Sequence, residues 1–554
     1  MRRMTIILLI TIVSSLIFLF QAEVSPALAA DSPAAALTGQ VSSTEEGPME
    51  GVTVSAKRDG STITVTVITN EQGRYSFPRN RLDPGQYTLR IRAAGYELET
   101  PASTPITADK TATADLKLRK AADISQQLTN TEWLWSMPGT DDDKHRMQQC
   151  GNCHTYQRIV RSQYDEAGFM DILQLMASFT PGSTPAHPQK KGIEGGDVMA
   201  PGVVSAATAK YLSTVNLSTV DHWAYPLQML PRTKGRSTRV IITEYDLPRR
   251  EALPHDVLLG KDGLIWYRDF GTEFIGSLDP KTGKVVDYPM PPLKPGFAGG
   301  MIDLQMDKDG NLWTGYRQAA ILKFDPRTHK YTVCCENEDA AQKDPNLRAD
   351  FGIIGLVYGP ENKPVKVWGG GASMPGIHRL DLATGKMEEF YKNPVYGINA
   401  DSKGNGYGLQ MANQTIIKVD GATGELTMLP TPTKNSGPRR GQFDDQDRLW
   451  FAEFKADKIG MLDTRTGTFK EFPLPTKWTG PYDVALDKNS EAWTGGMFSD
   501  RLVRLDTKTG KAVEYQMPRN TNMRRMYIDN STTPVTLWVG NNHGDSIVKV
   551  EPLD

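Results

Sequence analysis

The sequence predicts a mainly β, multidomain protein made of a small β-sandwich, a small helical domain and a seven-bladed β-propeller. Three observations lead to this prediction. Short runs of β-branched residues fill residues 37–120, and apolar residues recur at helical spacing in residues 121–235. From residue 240 to 554, a Trp or Tyr recurs every ~40–50 residues.

Charge and composition exclude some classes of protein. The chain has 63 Lys and Arg against 65 Asp and Glu, a net charge of −2. This balance argues against a nucleic-acid binder, because phosphate backbones need a basic surface. Hydrophobic residues make up 39% of the 554 residues, which excludes general disorder. Four cysteines are too few for a disulfide scaffold.

Residues 1–30 have the layout of a secretory signal peptide. Arg2 and Arg3 precede an apolar run over residues 4–20, and Ala27-Leu28-Ala29 supplies a small-residue cleavage pattern. We therefore expect an exported, periplasmic protein with no membrane span after cleavage. An uncleaved anchor helix is the alternative, since the apolar run is at the short limit for spanning a bilayer.

Residues 37–120 predict the β-sandwich. Residues 52–56 and 62–67 are rich in β-branched side chains, and turn residues follow at Asn70-Glu71-Gln72-Gly73. The order Gly51-Val52, Gly73-x-Tyr75-x-Phe77, Pro84-Gly85-x-Tyr87 and Ala93-Ala94-Gly95-Tyr96 resembles the carboxypeptidase regulatory-like domain. The resemblance implies a small sandwich, often grouped with carbohydrate-binding-like folds. We favour a spacer or adhesion role for it over sugar binding.

Residues 121–235 predict helices with an irregular middle. Phe169, Leu173 and Met176 share one helical spacing, and residues 206–212 form a second apolar run. Asp165 and Ser205 precede these runs as helix N-caps. Prolines at 181, 185, 188 and 201 break the segment between the two helices.

Residues 240–554 predict the propeller. Each repeat contains an x-D-x-x-G-x-x-W motif and closes with D-x-x-T-G, and such units of four short strands are typical of blades. We count seven, with the aromatic residue at Trp266, Trp313, Trp368, Tyr407, Trp450, Trp493 and Trp538. The Asp and Gly residues fit turn chemistry, so we expect them to be structural.

Cys150-Gly151-Asn152-Cys153-His154 is a C-x-x-C-H motif, which attaches c-type haem covalently. The two thiols bind the haem and the adjacent imidazole is the proximal iron ligand. A redox C-x-x-C and half of a zinc site are the alternatives. With the helices around it, the motif resembles the cytochrome c family over residues 121–235. The resemblance implies one haem c held by Cys150, Cys153 and His154.

The distal iron ligand is open between three residues. Met199 lies in a Met-x-Pro loop before the last helix, where members of the cytochrome family often place the axial Met. Met176, on the preceding helix, is the second candidate, although a Met at helical spacing usually packs in a core. His187 is the third, and it would give a lower potential.

The propeller resembles the streptogramin B (virginiamycin B) lyase family. The resemblance lies in Trp450-Phe451-Ala452-Glu453 and in Lys458-Ile459-Gly460. In that family a His and a carboxylate 14 residues later act with magnesium. That spacing occurs here in blade one as His255 and Asp269, a candidate catalytic pair, whereas Glu453 has Arg439 at the place of the His.

Four residues stand eleven positions before the Trp or Tyr of their blades: His255, Tyr396, Arg439 and Tyr482. Equal offsets in a propeller converge on one end of the channel, so we expect one shared opening. We expect Arg524, Arg525 and Tyr527 of the last blade to join them. Such a ring could bind an anionic or planar ligand. A solvated channel mouth is the alternative.

A second resemblance is to quinoprotein dehydrogenases. It rests on the repeated D-x-x-T-G motif and on the adjacent pair Cys334-Cys335, but the docking Trp of that family is missing here. The cysteine pair could form a vicinal disulfide in an oxidising compartment or stay as two buried thiols.

The main prediction from sequence is a periplasmic c-type cytochrome that transfers electrons between a periplasmic donor or acceptor and its haem. The propeller would bind a small molecule, a polymer or a docked partner. Three alternatives stay open: a metal-dependent carbon–oxygen lyase resembling streptogramin B lyase, with magnesium as its ion; a propeller that binds without catalysis; and a quinohaemoprotein dehydrogenase.

Overall fold

A computed structural model describes residues 34–180, 182–189, 202–217, 222–250, 252–290, 292–293, 299–316, 320–336, 353–370 and 376–554. The side chains at 301, 334–336 and 353 are outside this description, and every structural statement below refers to the described residues. The signal-peptide prediction, Met199 and the side chains of Cys334 and Cys335 fall outside it.

The N-terminal part is a β-sandwich, as the alternating sequence predicts. Tyr75 and Phe77 point into its core while Arg74 and Ser76 are exposed, which is the period-two pattern of a half-buried strand. One sheet has the order β2-β1-β10-β7, with β5 and β9 also paired to β1, and the other contains β4-β3-β6-β8. The strands are β1 (Ala35–Ser43), β2 (Gly47–Pro48), β3 (Thr53–Arg58), β4 (Ile63–Ile68), β5 (Arg74–Pro78), β6 (Gly85–Arg92), β7 (Tyr96–Leu98), β8 (Ala102–Ile106), β9 (Ala112–Thr113) and β10 (Leu116–Lys120).

Five α-helices follow within the described residues. Asp165 and Ser205 cap two of them, as predicted, since each side chain accepts the backbone N–H three residues later. Thr129 and Thr140 start two more with capping boxes that the sequence analysis did not identify. The helices are α1 (Asn130–Ser136), α2 (Asp141–Cys150), α3 (Gln157–Val160), α4 (Glu166–Ala177) and α5 (Ala206–Val215), and single 3₁₀ turns lie at Arg79–Arg81, Ile124–Gln126 and Gly235–Thr238.

Six four-stranded sheets and four strands of an eight-stranded sheet then form the seven blades of the predicted propeller. The last blade is closed by β11, which precedes the other propeller strands in the chain and pairs with the C-terminal strand. The strands are β11 (Val240–Asp246); β12 (Pro254–Leu259), β13 (Ile265–Asp269), β14 (Phe274–Leu278) and β15 (Val285–Pro289) in blade one; β16 (Met301–Met306), β17 (Leu312–Tyr316), β18 (Ala320–Asp325) and β19 (Lys330–Glu336) in blade two; β20 (Ile353–Tyr358), β21 (Pro364–Gly370), β22 (Ile377–Asp381) and β23 (Met387–Tyr391) in blade three; β24 (Gly397–Ala400), β25 (Gly406–Leu409), β26 (Thr415–Val419) and β27 (Leu426–Pro430) in blade four; β28 (Pro438–Phe443), β29 (Arg448–Glu453), β30 (Lys458–Asp463) and β31 (Thr468–Pro473) in blade five; β32 (Ala485–Leu486), β33 (Glu491–Gly495), β34 (Arg501–Asp506) and β35 (Ala512–Gln516) in blade six; and β36 (Met523–Asp529), β37 (Thr536–Asn541) and β38 (Ser546–Pro552) in blade seven.

The repeated motif is structural, as expected. The repeated Trp residues lie on the second strand of their blades and are buried, and in several blades the Asp of the motif accepts the indole N–H. This hydrogen bond is 2.8 Å long between Trp313 and Asp307, and 3.0 Å long between Trp493 and Asp487. A buried indole N–H needs such an acceptor, which explains why the two residues recur together.

The sandwich and the propeller share one sheet, which the sequence did not predict. Strand β4 of the sandwich pairs with β11, so blade seven continues into the sandwich as an eight-stranded sheet. Arg92 of the sandwich also pairs with Asp500 of blade six at 2.6 Å. The N-terminal domain is therefore fixed against the propeller by backbone hydrogen bonds and a buried ion pair.

Candidate functional site

The structure brings together the four side chains that stand at equal offsets in the repeat. His255 Nε2 lies 2.7 Å from the Tyr482 hydroxyl, which lies 3.0 Å from the Tyr396 hydroxyl. Arg439 donates to the Tyr396 hydroxyl at 2.9 Å, and its guanidinium carbon lies 4.3 Å from the centre of the Tyr482 ring. Four blades thus contribute to one cluster in the channel.

Blade seven adds Arg524 to this cluster, whereas Tyr527 does not join it. Tyr527 is paired with Trp538 and packs between blades seven and one. The hairpin that connects Tyr527 to Trp538 is three residues longer than the hairpin that connects the equivalent residues Leu258 and Trp266 in blade one. The residue equivalent to His255 is therefore Arg524, and the fixed offset of eleven is wrong for this blade.

Irregular pairing of the inner strands allows two consecutive residues to face the channel. The register shifts between Pro254 and Asp256 in blade one, and again in blades two, five and seven. A bulge of this kind turns a side chain that would otherwise point to the other face. We define an upper ring as His255, Tyr396, Arg439, Tyr482 and Arg524, and a lower ring as Asp256, Asp303, Arg440, Asp483 and Arg525.

The lower ring is a network of opposite charges. Arg525 pairs with Asp303 and also lies 3.3 Å from Asp483 and 3.6 Å from Asp256. Arg440 lies 3.6 Å from Asp303. The sequence analysis named only Arg525 of these five. The other four could have been found by the same reasoning, because Asp256, Asp303, Arg440 and Asp483 each stand ten residues before the Trp of their blades.

The upper ring has buried positive charge without matching negative charge. Arg439 and Arg524 are each 4% exposed, and neither forms an ion pair with any residue that the structure describes. Arg439 is bound by the Tyr396 hydroxyl and by the Met497 sulfur, and its Nε has no hydrogen-bond partner within the described chain. Aromatic rings take the place of carboxylates: Phe454 and Tyr482 each lie 4.3 Å from the Arg439 guanidinium carbon.

The pKa values of His255 and Tyr396 in the upper ring are both lowered, although burial acts in opposite directions on the two groups. Burial, with the nearby Arg268 charge, holds the pKa of His255 well below its usual range, so the imidazole is neutral. Burial raises the pKa of Tyr396, but the charges of Arg439, Arg440 and Arg524 outweigh it and lower that pKa to about 7. Tyr396 is also the half-buried member of a ring that is otherwise buried.

The helical segment covers this end of the channel. Arg524 donates to the Asn152 carbonyl at 2.8 Å, and Asn522 donates to the Gly151 carbonyl at 3.2 Å. A Cβ on Gly151 would lie 2.6 Å from the Phe498 ring of blade six, so this position has no room for a side chain. The C-x-x-C-H segment therefore packs directly on the upper ring.

The residues of the C-x-x-C-H motif lie at the end of helix α2 and just beyond it. Cys150 ends helix α2, Cys153 follows its cap, and neither is described as part of a disulfide. His154 Nδ1 lies 3.0 Å from the Thr155 carbonyl, the kind of contact that orients a metal-ligating imidazole. A haem bound by these residues would supply one-electron chemistry. One haem c stays a prediction, which an absorption spectrum of the exported protein, oxidised and reduced, would decide.

Of the three predicted distal ligands, the structure describes Met176 and His187. Met176 is half-buried on α4, and His187 is exposed in a turn closed by Thr184. Met199 lies outside the described residues. Within the described part of the chain, no three His, Cys, Asp or Glu side chains are placed to hold one metal ion.

The candidate catalytic pair His255 and Asp269 is not a pair in the structure. The carboxylate next to His255 is Asp256, whose oxygen contacts His255 Nδ1. Asp269 instead binds Arg249 at 2.8 Å and the Gly271 N–H at 2.9 Å. Asp269, fourteen residues after His255, thus lies at the end of the neighbouring strand and forms an ion pair with Arg249.

Glu453 is buried beside the upper ring, next to the carboxyl group of Glu471. It lies opposite Pro438, the residue before Arg439, and no donor among the described residues binds its carboxyl oxygens. Burial, reinforced by the neighbouring Glu471, raises the pKa of Glu453 to about 8. The carboxyl is therefore largely protonated at neutral pH.

A cleft of about 560 Å³ lies where the sandwich, the helical segment and the propeller meet. Its lining includes Tyr96, Glu132, Arg519 and His543. The pKa of His543 is lowered to about 3 by burial and by the charge of Arg524, then of His154. This lining histidine is therefore close enough to the upper ring for the charge of Arg524 to lower its pKa.

Comparisons with known proteins support both β-domains. The model of the virginiamycin B lyase family matches residues 386–553, and that of the carboxypeptidase regulatory-like domain matches residues 36–119. Of the resemblances named from the sequence, those to these two families are thereby confirmed. A search of curated proteins gives no match.

Solved structures with a similar fold include two lyases. A virginiamycin B lyase from Staphylococcus aureus is 20% identical, with a TM-score of 0.47 over 56% of this chain and 99% of that one. A streptogramin B lyase is 21% identical, with a TM-score of 0.48 over 57% and 99%. The extracellular domain of a putative one-component system from B. thetaiotaomicron is 16% identical, with a TM-score of 0.41 over 54% and 40%. These values support no inference about function.

The prediction of a c-type cytochrome as the main function is wrong. The family matches fall on the propeller and the sandwich, and the described residues contain no cluster suited to a metal ion. The mainly β, multidomain fold is confirmed, but a helical cytochrome domain is not shown by five helices alone. In the described residues, no helix is long and apolar enough to cross a membrane.

Proposed function

We propose that this chain is an exported binding module that holds a small organic anion at Arg439 and Arg524, at the covered end of the propeller channel. The observation that carries the proposal is the pair of buried guanidinium groups without an ion-pair partner in the described residues. A buried, uncompensated charge is destabilising by about 3–5 kcal/mol. Contacts with aromatic rings offset roughly 0.5–2 kcal/mol each, so a bound anion would stabilise the site further.

The surroundings indicate which anion would fit. A guanidinium group binds carboxylate or phosphate through two parallel hydrogen bonds. The Tyr396, Phe454 and Tyr482 rings beside Arg439 offer flat apolar surfaces. We therefore expect a carboxylate with a planar apolar part to bind better than inorganic phosphate.

The lyase chemistry of the related family is not part of this proposal. Arg439 stands at the spacing from Glu453 where that family has a His. Arginine stays protonated at any physiological pH and cannot act as a general base. With arginine in place of histidine, this position can bind an anion instead. Export rests on the sequence of residues 1–30 and is proposed with it.

Isothermal titration calorimetry with benzoate and with phosphate tests the proposal. We expect benzoate to bind the full chain, and its affinity to fall at least about tenfold in Arg439→Met and in Arg524→Met, since each charge-assisted hydrogen bond contributes about 1.5–3 kcal/mol. Arg465→Met is the matched control, because Arg465 is exposed on a hairpin of blade five. Equal benzoate affinity in the wild type and the Arg439, Arg524 double variant would contradict the proposal.

A further inference from the structure

We propose that Tyr396 is the proton-exchanging group of the upper ring, taking a proton from an acidic group of the bound anion and returning it. This inference rests on the proposed anion site, which it extends from binding to proton transfer. Three features of the structure support it: a hydrogen-bond chain with one direction, the charges that surround the phenol, and its access.

The hydrogen-bond chain runs from Arg439 to Asp256 through three side chains. Asp256 is ionised, because Arg268 donates to it at 3.0 Å and the Leu304 N–H at 2.8 Å. It therefore accepts the proton on His255 Nδ1. Since His255 is neutral, its Nε2 is an acceptor, and the Tyr482 hydroxyl must donate to it.

The direction of the chain then fixes the role of Tyr396. Tyr482 uses its one proton on His255, so its oxygen accepts the Tyr396 proton across 3.0 Å. The Tyr396 oxygen in turn accepts from Arg439, which has no acceptor function. Tyr396 is thus the last hydroxyl of the chain. When it loses its proton, the Tyr482 hydroxyl can turn to donate to the phenolate, at the cost of its bond to His255.

Positive charges surround Tyr396 from several blades. Arg439 lies 4.6 Å and Arg440 lies 5.8 Å from the centre of its ring, both from blade five, and Arg524 acts on it from blade seven. Tyr482 of blade six is the other titratable group that faces it. Apart from burial, which raises its pKa, the largest contributions come from the three guanidinium groups, which favour the phenolate form.

The proton transfer needs no oxidant, reductant or co-reactant. The bond between the proton and a ligand atom breaks, the electron pair stays on that atom, and an O–H bond forms on Tyr396. The new negative charge on the ligand replaces the phenolate charge next to Arg439. Tyr396 is half-buried whereas Tyr482 is fully buried, so Tyr396 is the more accessible residue of the two, and a ligand bound at Arg439 would lie beside its hydroxyl.

Titration of tyrosinate absorption in the near ultraviolet tests the inference on the full chain. We expect one tyrosine to ionise near pH 7, at the lowered pKa of Tyr396 of about 7, and this signal to disappear in Tyr396→Phe. Tyr527→Phe is the matched control, because Tyr527 is a half-buried tyrosine outside the ring, and the signal should persist there. Absence of any tyrosine ionising below about pH 9 in the wild type, or persistence of the signal in Tyr396→Phe, would overturn the inference.

Proton uptake on benzoate binding is the second measurement. Calorimetry at pH about 8 in two buffers of different ionisation enthalpy should show uptake approaching one proton, because an anion beside the phenolate raises its pKa. Tyr396→Phe should bind benzoate with no uptake. Binding to the wild type without uptake would overturn the inference but not the proposed function. If benzoate fails to bind, the proposed function falls and the tyrosinate titration still decides the state of Tyr396.

Discussion

In blades one, five, six and seven the two rings are one residue apart in the sequence, yet the rings accommodate buried charge differently. In the lower ring, Arg440 and Arg525 are balanced by three aspartates from blades one, two and six. In the upper ring, Arg439 and Arg524 meet aromatic rings and backbone carbonyls instead. Ion pairs between the side chains of the lower ring connect the blades. The guanidinium groups of the upper ring have no carboxylate partner among the described residues and are therefore available to a ligand.

Removal of Arg525 should have the largest effect on stability. Arg525→Met leaves Asp303 and the aspartates of two other blades without their shared partner, and breaking a buried ion pair in this way costs about 3–5 kcal/mol. Urea unfolding of the full chain would measure the change. Arg465→Met is the control at an exposed hairpin. A loss of less than about 1 kcal/mol would mean that the lower ring does not hold the blades together.

Glu453 should give an intermediate effect that depends on pH. The folded protein keeps this proton up to about pH 8, whereas the unfolded chain loses it near the ordinary value of 4.5. Between these values the folded state binds more protons, so this group lowers the free energy of unfolding by about 1.4 kcal/mol per pH unit as pH rises. In Glu453→Gln the fall between about pH 5 and about pH 8 should be shallower.

Urea unfolding at several pH values would measure this slope. Glu361→Gln is the matched control, because Glu361 is an exposed turn residue, and its slope should equal that of the wild type. Identical slopes for Glu453→Gln and the wild type would show that Glu453 is ionised in the folded protein and has a counter-charge.

Removal of Arg439 should have the smallest effect on stability. Below about pH 6, where Tyr396 keeps its proton, Arg439→Met loses the hydrogen bonds to Tyr396 and Met497 and its ring contacts but also removes a buried charge without a counter-charge, so we expect the free energy of unfolding to change by less than about 1 kcal/mol. The comparison with Arg525→Met under the same conditions is the test. A loss of stability similar to that of Arg525→Met would show that the two rings do not differ in how they accommodate buried charge.

Much of the fold could be predicted because it depends on local and periodic patterns. The Trp residues mark the second strand of each blade, and the N-caps Asp165 and Ser205 mark helix starts within a few residues. Of the candidate site, the sequence located His255, Tyr396, Arg439 and Tyr482 through a constant offset. It failed at Tyr527, because a longer hairpin changes the offset, and at Asp269, because sequence spacing does not show which carboxylate a side chain faces.

The sequence by itself determined the number of blades, the turn and capping residues and the alternation of buried side chains, since each depends on neighbours within a few positions. Only the tertiary structure decided which charges meet. The bulges that turn both rings into the channel, the pairing of β4 with β11 and the bond from Arg524 to Asn152 join residues far apart in the chain. Such contacts leave no periodic signal, because they depend on how whole blades and domains pack.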